Sequence, residues 1–138
     1  MSKEEVRAFL AEGTRTGKLA TVRKDGRPHV VPIWFVLDGD DVVFTTGAET
    51  VKGRALRRTG RAALCVDLER PPFAYVTIEG EVEISEDLDE MLVWATRLAA
   101  RYEGAGRAEE FGRRNAVPGE LLVRLRPASV IAREYIDE

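Results

Sequence analysis

Alternation of apolar and polar residues runs through most of the chain and predicts β-strands more often than helices. The alternating segments are short, rich in β-branched and aromatic residues, and bounded by Gly, Pro or Asp. Asp25-Gly26 and Asp38-Gly39 are dipeptides favoured in tight hairpin turns, so the first three segments should form an antiparallel meander. The pattern predicts six strands, at residues 19–24, 29–37, 42–46, 61–68, 74–85 and 121–136.

Helical spacing of apolar residues occurs in three places. Ser2 and Glu5 form a capping box at the start of a first helix, which should end near Gly13. A second helix is predicted after Gly47, and a third at residues 86–102, where one face is apolar. No element is predicted for residues 103–115, whose Gly and charged residues do not specify a conformation.

This order of elements indicates a mostly β fold with flanking helices. Six strands joined by short turns favour a closed or nearly closed antiparallel barrel, because closure removes exposed strand edges. With 138 residues, the chain is long enough for one domain with a substantial core and short for two. We therefore expect a single domain over residues 1–138.

Composition narrows the classes of function. The chain is 44% hydrophobic and 33% charged with a formal net charge of -3, which suits a globular protein and disfavours general binding of nucleic acid. No segment has the apolar length of a membrane span, and the N-terminal helix does not resemble a secretory signal. The lone cysteine, Cys65, lies in an apolar run and should be a buried, reduced thiol. These features predict a cytoplasmic protein.

Metal and nucleophile chemistry have little support in the residue pattern. The chain has one histidine, His29, and no paired cysteines or His-x-x-x-His spacing. A Ser-His-Asp or Cys-His arrangement cannot be assembled from one turn-flanking histidine and a thiol predicted to be buried. We therefore expect no metal site, and the sequence identifies no catalytic side chain.

The segment after the third strand combines a strand end, a helix start and several cations. Thr45, Thr46 and Gly47 end the strand, and Thr50 precedes a helix that carries five basic residues by Arg61. Unpaired N-H groups at a helix start favour a phosphate, and Lys52 and Arg54 are suited to its oxygens. We call residues 46–54 the anion corner. The alternative, a solvated basic helix face, is equally compatible with this segment alone.

Pro32 lies in the middle of a predicted strand, where proline removes a ladder hydrogen bond and is expected only at an edge or bulge. If Val31, Pro32, Ile33 and Trp34 line an edge, their backbone groups could face a planar heterocycle. A tight hairpin would bring this strand within one ligand's length of the anion corner. The alternative is that Pro32 protects a sheet edge and Trp34 fills the core.

The tracts LATVRKDGRPHVVPIWF, VVFTTGAETVKGRALRRTGRAAL and YVTIEGEVEI, in this order and spacing, resemble the pyridoxamine-phosphate-oxidase-like superfamily. Within it, the chain is similar to small single-domain reductases that use the deazaflavin coenzyme F420. TxKxRALRR, at residues 50–58, is the most specific match. The resemblance covers most of residues 19–85 and implies a six-stranded antiparallel split β-barrel of the FMN-binding type.

The resemblance also implies a cofactor site. Thr50, Lys52 and Arg54 match the tract that holds the cofactor phosphate, and residues 31–34 match the strand along the ring system. Thr45 and Thr46, with Gly47, would bracket the ribityl-type chain. Family members are homodimers with the cofactor at the subunit interface, where Tyr75 of the segment 73–75 could complete the pocket or simply pack in a rigid turn.

The function implied is an F420-dependent oxidoreductase that transfers a hydride to an electron-poor double bond of a small-molecule substrate. The strand at residues 29–37 lacks the basic residue and lysine typical of the FMN-binding oxidase branch, and the C-terminus lacks that branch's arginine and histidine pair. Deazaflavin is therefore preferred to FMN. An FMN-binding oxidoreductase of the same fold and a non-catalytic dimer that binds a cofactor or haem remain alternatives.

Overall fold

Seven antiparallel strands form one sheet in the order β2-β1-β5-β6-β7-β4-β3 in the computed structural model, which describes residues 1–134. Four α-helices and one 3-10 turn flank this sheet. The strands are β1 Gly17–Val22, β2 Pro28–Ile33, β3 Val36–Asp38, β4 Asp41–Gly47, β5 Arg61–Leu68, β6 Ala74–Ser85 and β7 Glu120–Glu134. The helical elements are α1 Lys3–Ala11, α2 Val51–Thr59, α3 Leu88–Glu103, the 3-10 turn Ala105–Arg107 and α4 Ala108–Asn115.

Both predicted hairpins are present. β1 pairs with β2 across the Asp25-Gly26 turn, and β3 pairs with β4 through Asp38 and Asp41. Gly26 and Gly39 have φ values of 90° and 61°, which explains why glycine follows aspartate in both turns. The last predicted strand extends to residue 136, and its final two residues lie outside the described part of the chain.

The prediction of six strands is wrong because the segment 29–37 is not continuous. It divides at Trp34 and Phe35 into β2, which pairs with β1, and β3, which pairs with β4 at the other end of the sheet. The backbone of Phe35 bonds to side chains instead of a neighbouring strand. Its N-H donates to the Tyr102 hydroxyl at 3.1 Å, and its carbonyl accepts from Arg101 at 2.7 Å.

The hydrogen-bonded ladder of the described strands is therefore not closed, and the predicted six-stranded barrel, closed or nearly closed, is corrected to a sheet of seven strands with two edges. Its two edge strands are nevertheless consecutive in the chain. Since only two residues separate Ile33 from Val36, the edges approach to within about 11 Å there. This short link requires the sheet to curl, and the mostly β fold with flanking helices is confirmed.

Capping signals place the helices as predicted. Ser2 caps α1 in a complete capping box, and Thr50 caps α2 by accepting from the Gly53 N-H at 3.0 Å. Gly60 ends α2 in the left-handed conformation, with φ 67°. α4 was not predicted from the sequence. It packs against α3 through Gly112, where a Cβ atom would lie 2.2 Å from the Thr96 hydroxyl oxygen.

The core lies on the inner face of the curled sheet and includes Leu19, Phe35, Phe44, Leu64 and Ile78, each at most 1% exposed. α3 covers a second, smaller cluster formed by Val43, Met91, Trp94 and Leu122. Cys65 is half-buried and paired with Lys18 and Thr77, so it faces away from the core. The expectation of a buried thiol is thus corrected.

Arg101 fixes the break in the sheet to the end of α1. Its guanidinium donates to the carbonyls of Phe35, Leu10 and Gly13 at 2.7, 2.8 and 2.9 Å. It also lies over the ring of Phe35, 4.7 Å from the centroid. Partial burial lowers the pKa of Arg101 below its ordinary value, yet an arginine remains charged. These charge-assisted bonds join three segments that are distant in sequence.

We expect Arg101→Met to destabilise the fold by about 3 kcal/mol, because it leaves several partly buried carbonyls without a donor. Arg101→Lys should recover only part of this loss, since an ammonium cannot reproduce the planar fork. Urea unfolding followed by circular dichroism measures both. Arg113→Met, which removes an exposed helix ion pair with Glu109, serves as the control and should cost less than about 0.5 kcal/mol. Equal losses in the two Met variants would contradict the proposed importance of the Arg101 bonds.

Candidate functional site

A cavity of about 480 Å³ lies between the sheet and the pair of helices α3 and α4. Its volume is within the usual range for a small-molecule site. The sheet and α2 contribute Pro32, Ile33, Trp34, Thr45 and Lys52. The helices α3 and α4 contribute Ala95, Leu98, Ala99, Glu103, Phe111, Arg114 and Asn115. The cavity thus joins the end of β2 to the anion corner, as the sequence pattern predicted.

Trp34 forms an aromatic wall of this cavity. Its side chain is 45% exposed, and its ring stacks on that of Tyr102 with a centroid distance of 4.9 Å and an angle of 5°. The Tyr102 hydroxyl donates to the Arg15 carbonyl at 2.8 Å and accepts from the Phe35 N-H. Burial raises the pKa of Tyr102, so the phenol stays protonated and able to donate. Tyr102 therefore holds the indole in a fixed plane.

The anion corner keeps two free backbone donors. Thr50 uses its hydroxyl locally, since it accepts from Gly53 and donates to the Gly47 carbonyl at 2.7 Å. The N-H groups of Val51 and Lys52 precede the first intrahelical bond of α2 and have no backbone acceptor among the described residues. The Lys52 side chain is half-buried and lines the cavity. This arrangement can bind an anion with one ammonium group and two N-H donors.

Arg54 is not part of the cavity wall. Its guanidinium pairs with Glu49 at 2.6 Å, and both side chains are largely exposed. From the sequence, Arg54 was expected to bind phosphate together with Lys52, because both follow the start of the helix. The sequence did not show that Glu49, just before the helix, would pair with Arg54. Lys52 and Arg54, predicted as a pair of phosphate ligands, are therefore placed in different environments.

The remaining predicted site residues occupy supporting positions. Thr46 is 5% exposed, and its hydroxyl lies 3.3 Å from that of Thr50, so it faces the protein interior. Gly47 packs closely against α2, because a Cβ on Gly53 would lie 2.1 Å from the Gly47 carbonyl oxygen. Val31 packs against the main core cluster. Tyr75 lies on β6 opposite Arg133 and Asp67 and does not line the cavity.

The sequence analysis did not predict that α3 and α4 would line the cavity, or that an oxygen of Glu120 would be buried. Phe111, Arg114 and Asn115 reach the cavity from α4, whose apolar spacing at Ala108, Phe111 and Gly112 was a weak signal for this helix. Glu120 starts β7 opposite Gly47, and its Oε2 is buried without a hydrogen-bond partner. Burial raises the pKa of Glu120, and the charge of Lys52 partly opposes that shift.

Two features are absent from residues 1–134. Among residues 1–134, no three His, Cys, Asp or Glu side chains are grouped closely enough to hold a metal ion. In the same part of the chain, no helix combines the length and apolarity that crossing a membrane requires.

The sequence profile of pyridoxamine 5'-phosphate oxidase matches residues 2–133. The chain belongs to this family. No sequence among the curated proteins is similar enough to count as a match. The resemblance inferred from the strand and helix tracts is thereby confirmed at the level of the superfamily.

Solved structures with different names share this fold. An F420 reductase is 27% identical with a TM-score of 0.70, and the match covers 90% of this chain and 94% of that one. The conserved hypothetical protein Rv2991 from Mycobacterium tuberculosis is 24% identical with a TM-score of 0.85, covering 98% and 86%. A heme binding protein from Mycobacterium smegmatis is 22% identical with a TM-score of 0.70, covering 97% and 58%. The last two likenesses are evidence of fold alone.

Gly53→Ala should disturb the anion corner, because the added methyl group would collide with the Gly47 carbonyl. Overpacking of this kind costs about 1–3 kcal/mol, which outweighs a gain in helix propensity of roughly 1 kcal/mol. Chemical denaturation measures the net loss. Gly106→Ala is the matched control, since a Cβ there meets no atom within 4 Å. A Gly53→Ala protein as stable as this control would show that the close contact is unimportant.

Proposed function

We propose that the chain is an oxidoreductase that uses coenzyme F420 to transfer a hydride to an electron-poor double bond of a small-molecule substrate. The observation that carries this proposal is that one cavity is lined by two groups of residues. Pro32, Ile33 and Trp34 come from the end of β2 and the residue after it, and Thr45 and Lys52 come from β4 and α2. A ring site and an anion site within one cavity suit a ligand with a flat heterocycle and a phosphate. When bound, such a cofactor supplies the hydride chemistry, while the protein binds and orients it.

The edge position of β2 supports binding of a planar ring. β2 pairs with β1 alone, so alternate residues direct backbone N-H and C=O groups away from the sheet. Pro32 lacks an N-H and is exposed, which keeps this edge from pairing with another strand. The free donors and acceptors beside it can bond to the rim of a heterocycle. Trp34 adds an apolar wall that limits water near the ring.

The anion corner supports binding of the phosphate. Lys52 supplies the positive charge, and the N-H groups of Val51 and Lys52 supply directional donors. Arg114 lies on the opposite wall, where it pairs with Glu110 at 3.5 Å and lies over the Phe111 ring. The cavity therefore has cations on two sides. FMN also carries a phosphate and a flat ring, so it is the competing cofactor that an experiment must include.

Titration of the purified apo protein with F420 and with FMN, followed by tryptophan fluorescence, tests this function. We expect F420 to bind more tightly and to quench Trp34. Because Trp94 is only 8% exposed, Trp34→Phe should remove most of the quenching. Lys52→Ala should weaken binding by roughly ten- to a hundredfold, as expected for a charge-assisted contact. Arg54→Ala should have a smaller effect, because Arg54 already pairs with Glu49.

Preference for FMN would assign the protein to the flavin-binding part of the family, and binding of neither compound would overturn the proposed function. Turnover is then measured with F420 in its reduced form and a panel of activated alkenes. His29→Ala should retain nearly full turnover, since His29 does not line the cavity.

We further propose that two copies of the chain pair through the outer face of the sheet. Residues at this face alternate with core residues, and several of them are small or apolar. Val30, Val22 and Ile131 are 64%, 49% and 44% exposed. Val30 pairs with Ala20, which pairs with Ala63 on β5, so the apolar surface continues across three strands. An exposed apolar surface of this kind is typical of an interaction site.

The proposed dimer would place the cavity near the subunit interface. Pro32 both lines the cavity and pairs with Lys18, whose neighbour Cys65 also belongs to the outer face. Val30→Glu should therefore shift the protein from dimer to monomer in analytical ultracentrifugation and also weaken cofactor binding. Val93→Glu, on α3 at 49% exposure, is the control and should leave the dimer intact. A monomeric wild-type protein would contradict this part of the proposal.

A further inference from the structure

The second half of β7 has a neighbouring strand on one side only. β6 pairs with β7 as far as Glu134, whereas β4 pairs with it no further than Leu125, because β4 begins there after the turn from β3. Within the described part of the chain, residues 126–134 therefore form a free strand edge. Alternate residues of such an edge direct their N-H and C=O groups away from the sheet.

A second cavity, of about 790 Å³, lies beside this free edge. Its walls come from α1, from the β3–β4 hairpin, and from β6 and β7. Its volume is within the usual range for a small-molecule site. It shares no lining residue with the cavity of the candidate functional site. The proposed function therefore leaves this second cavity without a role.

The floor of the second cavity is an uncovered part of the core. Leu10 and Ile78 are 3% and 1% exposed and belong to the main core cluster, and Leu37 packs against it. Val130 pairs with Ile78 and so lies on the same face of the sheet, yet it is 47% exposed. It is exposed because no strand follows β7 on this side. An apolar group placed over Val130 would remove this surface from water, which is favourable.

Charged side chains surround this apolar floor. Six of them line the cavity, and they are Lys3, Arg7, Arg126, Arg133, Asp40 and Asp41. Arg7 and Asp40 bond to each other at 2.7 Å. Asp41 and Arg126 pair with residues outside the lining. Both acids of the lining are therefore already neutralised by a cation.

Lys3 and Arg133 are the two lining cations that make no ion pair within residues 1–134. Lys3 is the first residue of α1, and Arg133 lies near the end of β7, where its guanidinium donates to the Ala132 carbonyl at 3.3 Å. Both side chains are exposed. An anion at this rim would find two cations without a competing acid, together with the N-H groups of the free edge.

We propose that the second cavity binds a small monoanion with an apolar body, such as an aryl or alkyl carboxylate. The apolar body covers Val130 and Leu37, and the anionic group lies near Lys3 and Arg133. Charge complementarity selects an anion, because both lining acids are paired and two lining cations are not. A neutral molecule of the same shape gains only the apolar contacts. This inference does not depend on the cofactor, so the two cavities are tested separately.

Fluorescence titrations with anilinonaphthalene sulfonate and with phenylnaphthylamine test this site, because the two probes share their rings and differ in the sulfonate. We expect the sulfonate probe to bind once per chain and more tightly than the neutral probe. Lys3→Gln/Arg133→Gln should weaken the sulfonate probe by about three- to tenfold and leave the neutral probe unchanged. Lys24→Gln/Arg61→Gln removes two exposed cations outside this cavity and is the matched control.

Val130→Asp tests the apolar floor. It should weaken both probes by about tenfold, because it places a charge where the apolar body lies. Val93→Asp is the control, since Val93 lies on α3 outside this cavity and is similarly exposed, at 49%. Equal binding of the two probes, the same response in both double variants, or no binding of either probe would overturn the inference.

A second measurement locates the bound probe in the wild-type protein. When the sulfonate probe is added, changes in amide NMR shifts should be largest in α1, in residues 37–41 and in residues 126–133. Changes centred instead on β1 and β2, or on α3 and α4, would show that the probe binds elsewhere. Either of those results would overturn the assignment of this cavity as the anion site.

Discussion

The bonds that Arg101 and Tyr102 make to Phe35 determine where the sheet divides. At Trp34 and Phe35 the apolar segment 29–37 passes from β2 at one edge of the sheet to β3 at the other. The backbone of Phe35 pairs with no strand there, so side chains supply its hydrogen bonds. Arg101 bonds at the same time to the end of α1, and Tyr102 bonds to the Arg15 carbonyl just before β1. A single turn of α3 thus connects the break, the first helix and the first strand.

The same turn of α3 also shapes the candidate site. Trp34 leaves the sheet at the break and stacks on Tyr102, so the constraint that divides β2 from β3 also places the aromatic wall. One turn earlier, Leu98 and Ala99 of α3 face the cavity, and α4 packs on the same helix through Gly112. Fold and site therefore depend on one helix end, and a change there should affect both.

Local signals explain which parts of this structure were predictable. The hairpin turns and the capping box at Ser2 depend on residues close in sequence, and each was predicted correctly. The break at residues 34–35 depends on side chains more than sixty residues away, while the apolar pattern continues through it. The pairing of Arg54 with Glu49 and the burial of the Glu120 Oε2 atom likewise depend on side-chain packing that residue spacing does not encode. The sequence thus indicated that the end of β2 and the anion corner lie close together, but not which charged side chains line the cavity between them.

Those charges, more than the sheet, must decide what the cavity binds. The curled sheet is shared with an F420 reductase and with a heme binding protein, so the fold alone permits unlike ligands. In this chain, the cavity joins the indole of Trp34, stacked on Tyr102, to the side chain of Lys52. A neutral ring would gain little from Lys52, and a small free anion would make no contact with the indole. A ligand that carries both a ring and a phosphate would contact both the indole and Lys52, which is why the two halves of the cavity are best understood together.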